Sequence, residues 1–79
     1  MLKLTIIRNE EKTTEEEVRE VKIETENGAV AILPRHQPYL SKIQGSFAYV
    51  RGTGDAVSFA ISSGFIYTDG EKCIVVIDE

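Results

Sequence analysis

The chain has 79 residues, a formal net charge of −4 and one cysteine. A chain of this length forms one domain with a modest core, because it buries only about 60% of its unfolded surface. The acidic balance argues against nucleic acid or an anionic membrane surface as the main partner. One cysteine excludes an internal disulfide, and the lack of a leader or a long apolar run predicts a soluble intracellular protein.

Alternation with a period of two residues begins at the amino terminus and predicts two strands. The apolar face of the first strand consists of Leu2, Leu4 and Ile6. The dry face of the second strand consists of Val21, Ile23 and Thr25. Val18 falls out of this phase, which predicts a β-bulge near Arg19 that would turn Val18 inward.

A helix is the alternative interpretation of the segment before the second strand. Residues 14–17 match a capping box, and Val18 and Val21 lie three positions apart. The helical pattern ends after about two turns and β-branched residues dominate the next positions, which favours a strand.

A hairpin signal and a proline-bounded loop come after the second strand. Asn27 and Gly28 suit the two positive-φ positions of a tight turn. Pro34 and Pro38 each lack an N–H and restrict the preceding residue, so they interrupt sheet pairing and helix alike. The sequence therefore predicts a rigid contact loop that presents Arg35, His36 and Gln37.

Six further short strands are predicted at residues 30–33, 40–44, 47–51, 57–62, 65–68 and 73–77. Turn signals separate most of them, at 44–45, 52–55 and 69–70. Eight short strands without a long helix predict an all-β sandwich or barrel. The inner faces of a sandwich would be formed by Phe47, Tyr49, Val57, Phe59, Ile61, Val75 and Ile77.

Three apolar residues, Ile66, Ile74 and Val76, fall on the opposite faces of the last strands. They form either the core of a second sheet, which is the favoured interpretation, or an apolar patch that awaits a partner. Cys73 lies in an apolar run and is expected to be a buried thiol that behaves as a small hydrophobe.

Charge is distributed unevenly along the chain. Eight of the 13 acidic residues lie at positions 10–26, whereas positions 27–54 contain none and carry Arg35, Lys42 and Arg51. Such polarisation favours oriented docking onto a protein partner. The alternative is that the acidic segment is a solvated hairpin.

The residues of a catalytic or metal site are largely missing from the sequence. A structural zinc site needs about four Cys or His ligands, and the chain has one of each. Residues 52–54 suit a plain turn better than a dinucleotide loop, and residues 62–64 lack the spacing of a nucleophile elbow. His36 has no acid nearby in sequence to orient it as a base. The sequence predicts no enzyme, cofactor or metal.

Several of these features together resemble one family. The chain is similar to the N-terminal β-sandwich domain of the epsilon subunit of F-type ATP synthases, in residues 18–40, in Gly45 and in residues 62–79. The spacing of Pro34, His36, Pro38 and Leu40 carries the resemblance, and so do Ser62, Gly64 and Phe65 downstream of it. The resemblance implies one domain over residues 1–79, a two-sheet β-sandwich of about ten strands.

The resemblance also implies a function. It would be a non-catalytic rotor subunit that links the gamma subunit to the membrane c ring during proton- or sodium-driven ATP synthesis, peripheral to the cytoplasmic face of the membrane. The gamma side would consist of His36, Gln37, Tyr39 and Lys42. The c-ring side would consist of Glu26, Asn27, Gly28 and Ala29.

The chain departs from the family pattern at several positions. Ala29 and Ala31 replace an acid and a glycine, so Glu26 is expected to supply the charge toward the ring. Arg35 and Ser63 each replace a frequent glycine. The family usually continues into a helical hairpin that restrains ATP hydrolysis, and with no such segment by residue 79 that role is not expected.

Two other classes of protein remain alternatives. A free-standing β-sandwich adaptor would bind a protein or peptide along an exposed strand edge. A small hydrolase would require a cleft with a perturbed base, for which His36 is the candidate.

Overall fold

The computed structural model describes residues 1–9 and 12–78, which form six strands and, within those ranges, no helix. The strands are β1 Leu2–Arg8, β2 Lys12–Thr25, β3 Gly28–Ile32, β4 Tyr39–Arg51, β5 Ala56–Thr68 and β6 Lys72–Asp78. The all-β prediction is confirmed, and the helical alternative for residues 14–17 is wrong because β2 runs through them. Glu10 and Glu11 of the acidic segment, and Glu79 at the end of the 62–79 similarity, lie outside the described residues.

The strands form one sheet that closes on itself. Their order is β1-β6-β5-β4-β2-β3, and an additional β1–β2 pairing completes a barrel-like ring of five strands. β1 and β6 are parallel, whereas the other neighbours are antiparallel. β3 pairs with residues 21–25 of β2, on the opposite edge of β2 from β4. The arrangement is consistent with a β-sandwich domain, but the predicted count of about ten strands is wrong.

Two long strands account for the difference between the eight strands predicted from the alternation pattern and the six observed. The glycine signal at 44–45 marks a β-bulge between β4 and β5, where Gln44 alone lies opposite Ser62 and Ser63, so the extra residue belongs to β5. Gly45, next to the bulge on β4, has a φ of 83°. A bulge bends a strand without ending it, so residues 40–44 and 47–51 belong to one strand. Residues 57–62 and 65–68 are likewise continuous within β5.

A second bulge lies where the sequence predicts it. The register between β2 and β4 shifts between Val18 and Glu20, so that Arg19 is the extra residue. Val18 is fully buried, as are Val21 and Ile23 farther along the strand. The bulge near Arg19 is therefore confirmed. It allows the apolar side chains on both sides of the bulge, Val18 before it and Val21 after it, to point into the core.

The core consists of the apolar side chains that point inward from alternate positions of each strand. Phe47 is its largest fully buried side chain, and its ring lies 5.9 Å from that of Tyr49 and 5.4 Å from that of Phe59. The predicted inner-face residues are buried except Val57 and Phe59, which are partly buried against the core. Cys73 is fully buried as expected, and burial raises the pKa of its thiol to about 12, which keeps it unreactive near neutral pH.

The three residues left open by the sequence have different environments. Ile66 is fully buried, so its assignment to the core is confirmed. The same assignment is wrong for Ile74 and Val76, which are exposed. Cys73, Val75 and Ile77 occupy the inward positions of β6, and strand alternation therefore directs Ile74 and Val76 outward.

Gly64 provides a test of this packing. A Cβ atom at this position would clash with the carbonyl oxygen of Val76 and lie 3.3 Å from the Cα of Ile77, and both are backbone atoms of β6 that cannot rotate away. We expect Gly64→Ala to lower the free energy of unfolding by about 1–3 kcal/mol, as overpacking does. Urea unfolding followed by circular dichroism measures this change. The control is Ser63→Ala at the exposed neighbouring position, and equal stability of the two variants would contradict the prediction.

Candidate functional site

Four predicted contact residues lie near the start of β3 and β4, namely Gly28, Ala29, Tyr39 and Lys42, and the others lie on the two connections before these strands. One is the loop of residues 33–38 between β3 and β4, and the other is the β2–β3 turn at residues 26–27. Different segments of the chain hold these two connections in place.

The 33–38 loop is held against the β5–β6 turn. The backbone N–H of Arg35 donates to the carbonyl of Gly70 at 2.7 Å, and the N–H of His36 donates to the carbonyl of Leu33 at 3.1 Å. A Cβ at Gly70 would lie 2.7 Å from the carbonyl oxygen of His36, so the two segments touch through their backbones. Arg35 has a φ of 70°, a backbone conformation that suits glycine better than a residue with a Cβ.

The β5–β6 turn is itself braced by two side chains. The Oδ1 atom of Asp69 accepts hydrogen bonds from the backbone N–H groups of Glu71 and Lys72, both at 2.9 Å. The hydroxyl of Thr68 accepts from the N–H of Gly70 and donates to the carbonyl of Lys72. The N–H groups of Lys72 and then Glu71 hold the pKa of Asp69 below its usual value, because they favour the charged carboxylate. The Asp-Gly pair signals this turn, but nothing in the sequence links it to the loop of residues 33–38, which is called the histidine loop below.

His36 forms its contacts with its own loop. Its Nδ1 atom lies 2.7 Å from the carbonyl oxygen of Gln37, so Nδ1 carries a proton, and its ring meets that of Tyr39 edge-on at 5.7 Å. A backbone carbonyl thus occupies the place that an orienting carboxylate takes in a catalytic triad. The geometry suits a contact residue. Both rings are half-buried and Gln37 is exposed.

Lys42 lies away from His36 and beside the β2–β3 turn. The bend at Gly45 turns β4 away from β2, whose pairing with β4 ends at Ile23 and Phe47. The resulting cleft has a volume of about 270 Å³ and is lined by Thr25, Glu26, Asn27, Ser41 and Lys42. A second cleft of about 260 Å³ extends from Glu26 and Lys42 to Gly64 and Phe65. The structure therefore places one residue of the predicted gamma side next to the predicted ring side.

The β2–β3 turn differs from its predicted geometry. Glu26 and Asn27 form the turn, and Gly28 begins β3 with a φ of 109°, whereas Asn27 does not have a positive φ. The prediction of Asn27 and Gly28 as the two central residues is therefore wrong. The hydroxyl of Thr25 accepts from the N–H of Asn27 at 3.1 Å and donates to the carbonyl of Gly28 at 2.9 Å, which fixes the turn. Residues 26–29 are all exposed.

An apolar outer face continues from the histidine loop across the sheet. Its members are Leu40, Phe65, Tyr67, Ile74 and Val76, with exposed fractions of 71, 52, 45, 41 and 38%. Tyr67 pairs with Leu40 on one side and with Ile74 on the other, and Phe65 pairs with Lys42 and Val76. Cross-strand neighbours on one face touch, so these side chains form one patch. The sequence indicated an apolar patch at Ile74 and Val76 as an alternative. Only the strand register shows that these two residues lie beside Leu40, Phe65 and Tyr67.

The charge polarisation is weaker than the sequence indicates. Arg51, one of the three cations of the acid-free segment, donates from Nε to Oε1 of Glu16 at 2.8 Å. Burial and then the adjacent Glu16 carboxylate raise the pKa of Tyr49, which lies beside this pair. Arg51 therefore neutralises part of the acidic segment. Arg35 and Lys42 remain exposed.

Comparison with known proteins gives one consistent result. The family described as the ATP synthase delta/epsilon chain β-sandwich domain matches residues 1–79. The ATP synthase epsilon chain of Herpetosiphon aurantiacus is 35% identical over 78 residues, covering 98% of this chain and 57% of that protein. The chloroplastic epsilon chain of Adiantum capillus-veneris is 30% identical over 63 residues, covering 80% of this chain and 48% of that protein. The chain thus spans about half the length of these relatives.

Solved structures share the fold at low sequence identity. A chain in the central stalk and c-ring structure of the Tetrahymena thermophila mitochondrial ATP synthase superimposes with a TM-score of 0.80 at 10% identity, over 99% of this chain and 63% of that one. A chain of the Euglena gracilis mitochondrial ATP synthase gives a TM-score of 0.78 at 24% identity, over 98% of this chain and 49% of that one. Within the described part of this chain, no helix is long and apolar enough to span a membrane.

Asp69 makes the brace of the histidine loop dependent on pH. Its folded pKa lies below the value of about 3.9 for a free aspartate, so its charge stabilises the fold above that pH and ceases to do so as the pH falls through the folded pKa. We expect wild type to exceed Asp69→Asn in stability near neutral pH and the difference to shrink in acid. Urea unfolding midpoints across this range measure the effect. Asn keeps an acceptor oxygen and loses only the ionisation, so a difference that is constant with pH would contradict the prediction.

Proposed function

The chain belongs to the β-sandwich domain family of ATP synthase delta and epsilon chains, and on that premise we propose that it is a non-catalytic subunit of the central stalk of an F-type ATP synthase. In this role it links the gamma subunit to the c ring during proton- or sodium-driven ATP synthesis. It is held at the cytoplasmic face of the membrane through these partners. The observation that carries the proposal is the exposed apolar outer face beside the histidine loop, on a domain whose family assembles into this enzyme.

The gamma side of the proposal consists of His36, Gln37 and Tyr39, extended by the apolar outer face. Leu40 follows Tyr39 directly and joins the loop to Tyr67 and Ile74 on the next strands. A stable interface has an apolar, aromatic-rich centre and a polar rim and buries on the order of 1,000 Å² or more. The outer face supplies such a centre, and His36 with Gln37 supplies part of the rim.

The ring side consists of Glu26, Asn27, Gly28 and Ala29, with Lys42 at its border. This turn is exposed and polar, and Glu26 carries its only formal charge. A polar loop of a ring subunit that carries a cation would meet a carboxylate here, and such contacts favour orientation and rate of association more than affinity. Lys42 borders both the apolar outer face and the ring side, because it pairs with Phe65 and lines the cleft beside Glu26.

The mechanical part of the proposal depends on the closed sheet. Both proposed contact surfaces lie next to β2 and β4, two strands of the closed ring, and Ile32 of the intervening strand β3 packs into the same core. Packed interiors of this kind have low compressibility and transmit strain. A torque applied at the gamma side would therefore reach the ring side with little internal movement.

Charge reversal in the histidine loop tests the gamma side. We expect His36→Glu together with Tyr39→Glu to weaken binding to purified gamma subunit at least tenfold, because two carboxylates would be desolvated at the interface. Isothermal titration calorimetry measures the affinity. The control is Thr13→Glu together with Thr14→Glu, which adds the same charge at exposed positions of β2. Equal affinity of the loop variant and wild type would place the interface elsewhere.

The apolar face is tested separately with neutral substitutions. Phe65 and Val76 are direct cross-strand neighbours, and both are exposed, so Phe65→Ser with Val76→Thr removes apolar contact area and leaves the core intact. We expect a loss of at least tenfold in affinity for gamma, since a buried aromatic anchor contributes on the order of 2 kcal/mol. The unfolding midpoint serves as the control for the fold. Unchanged affinity with an unchanged fold would exclude this face.

A further inference from the structure

The amino-terminal half of β5 has an open edge. Residues 56–61 pair with β4 on one side, whereas β6 pairs only with residues 63–68 of β5. No strand within residues 1–9 and 12–78 covers the other side of residues 56–62. This open edge of β5 is separate from the apolar outer face, from the histidine loop and from the β2–β3 turn.

The hydrogen-bond pattern shows which backbone groups face the edge. The N–H of Arg51 donates to the carbonyl of Asp55 at 2.8 Å, so this opposed pair is a hydrogen-bonded one. Such pairs recur at every second position of an antiparallel ladder, and the register is unbroken as far as Gly45 and Ile61. The backbone N–H and C=O groups of the odd-numbered residues from 55 to 61 therefore face β4. By this alternation, the N–H and C=O groups that point to the open edge belong to Ala56, Ser58 and Ala60.

This edge lacks the usual protection against pairing. Residues 56–64 contain no charged residue and no proline, the two devices that most often blunt a strand edge. The outward side chains are small and exposed, whereas Val57 and Phe59 on the inner face are only half-buried. Pairing with another strand would satisfy the open backbone groups and bury more of these two side chains.

We propose that the open edge of β5 pairs with the same edge of a second copy of this chain, antiparallel about a two-fold axis at Phe59. The register that uses all seven residues joins Ser58 to Ala60 of the second copy and Ala56 to Ser62 of the second copy. The backbone groups of Ser58 and Ala60 face the edge, so the two symmetric Ser58–Ala60 pairs form about four hydrogen bonds. The inner-face pairs are Phe59 with its counterpart and Val57 with Ile61 of the second copy.

The sequence of the edge is complementary to itself in this register. Small residues meet small residues on the outer face, and apolar residues meet apolar residues on the inner face. Asp55 falls opposite Ser63 of the second copy, so no like charges are opposed within the paired segment. Opposition comes from the net charge of −4 on each copy. Salt screens this repulsion, so we expect the dimer to strengthen as ionic strength rises.

A single proline tests the edge without breaking the ladder to β4. Ser58→Pro removes an N–H that faces the open edge, and proline is tolerated at such edge positions. Sedimentation velocity over a hundredfold range of concentration should show the wild-type mass rising from 8.8 kDa toward twice that value. The Ser58→Pro variant should stay monomeric throughout.

The matched control lies on the other open edge. Odd-numbered residues of β4 form backbone hydrogen bonds with β5, so Ala48 forms its backbone hydrogen bonds with Lys22 of β2. The N–H and C=O groups of Val21 and Ile23 therefore face β3. Those of Ala31, which lies opposite Lys22, point away from β2. Ala31→Pro thus also removes an outward N–H from an edge strand, and this variant should associate as wild type does. Association of Ser58→Pro equal to wild type, or loss of association only in Ala31→Pro, would overturn the proposal.

A measurement on the unmodified chain covers the case in which the proline variant fails to fold. The amides of Ser58 and Ala60 should exchange with solvent more slowly as the protein concentration rises, because both become hydrogen-bonded in the dimer. The amides of Ala29 and Ala31 on the β3 edge should not change. Concentration-independent exchange at 58 and 60, or a monomer at every concentration, would refute the dimer and leave the proposed stalk function untouched, since the inference does not depend on it.

Discussion

The bend of β4 at Gly45 is the constraint on which the rest of the structure depends. Because the chain continues through the bulge, the first half of β4 pairs only with β5 while the second half pairs with β5 and β2. The ring of strands closes through the β1–β2 pairing, and the clefts beside Glu26 and Lys42 lie where the pairing of β4 with β2 has ended. Gly45 tolerates its φ of 83° because it has no Cβ, and the carboxylate of Glu24 occupies the space where a Cβ would lie.

Strand alternation then decides which surfaces are available to partners. Inward positions of β5 and β6 fill the core, so the apolar residues at the alternate positions must form the outer face. The histidine loop adjoins this face and is fixed by backbone contacts to Gly70, whose turn is braced by Asp69 and Thr68. A loop held in this way loses little conformational entropy on binding, which favours affinity.

None of the clefts in the described part of the chain holds a catalytic set. Its single histidine is oriented by its own loop and its single cysteine is a buried thiol with a raised pKa. The proposed contacts are spread over three kinds of surface: an apolar face, a polar turn and an open strand edge.

The sequence by itself determined the all-β class, the bulge at Arg19, the buried Cys73 and the proline-bounded loop, because alternation, proline and charge act locally along the chain. It misjudged Gly45, since a glycine suits a turn and a bulge equally and only pairing with β5 distinguishes them. The sequence also assigned Lys42 and Glu26 to different surfaces, and it did not indicate which residues lie beside Ile74. Those relations depend on register between strands that are distant in sequence, and register is set only when the sheet closes.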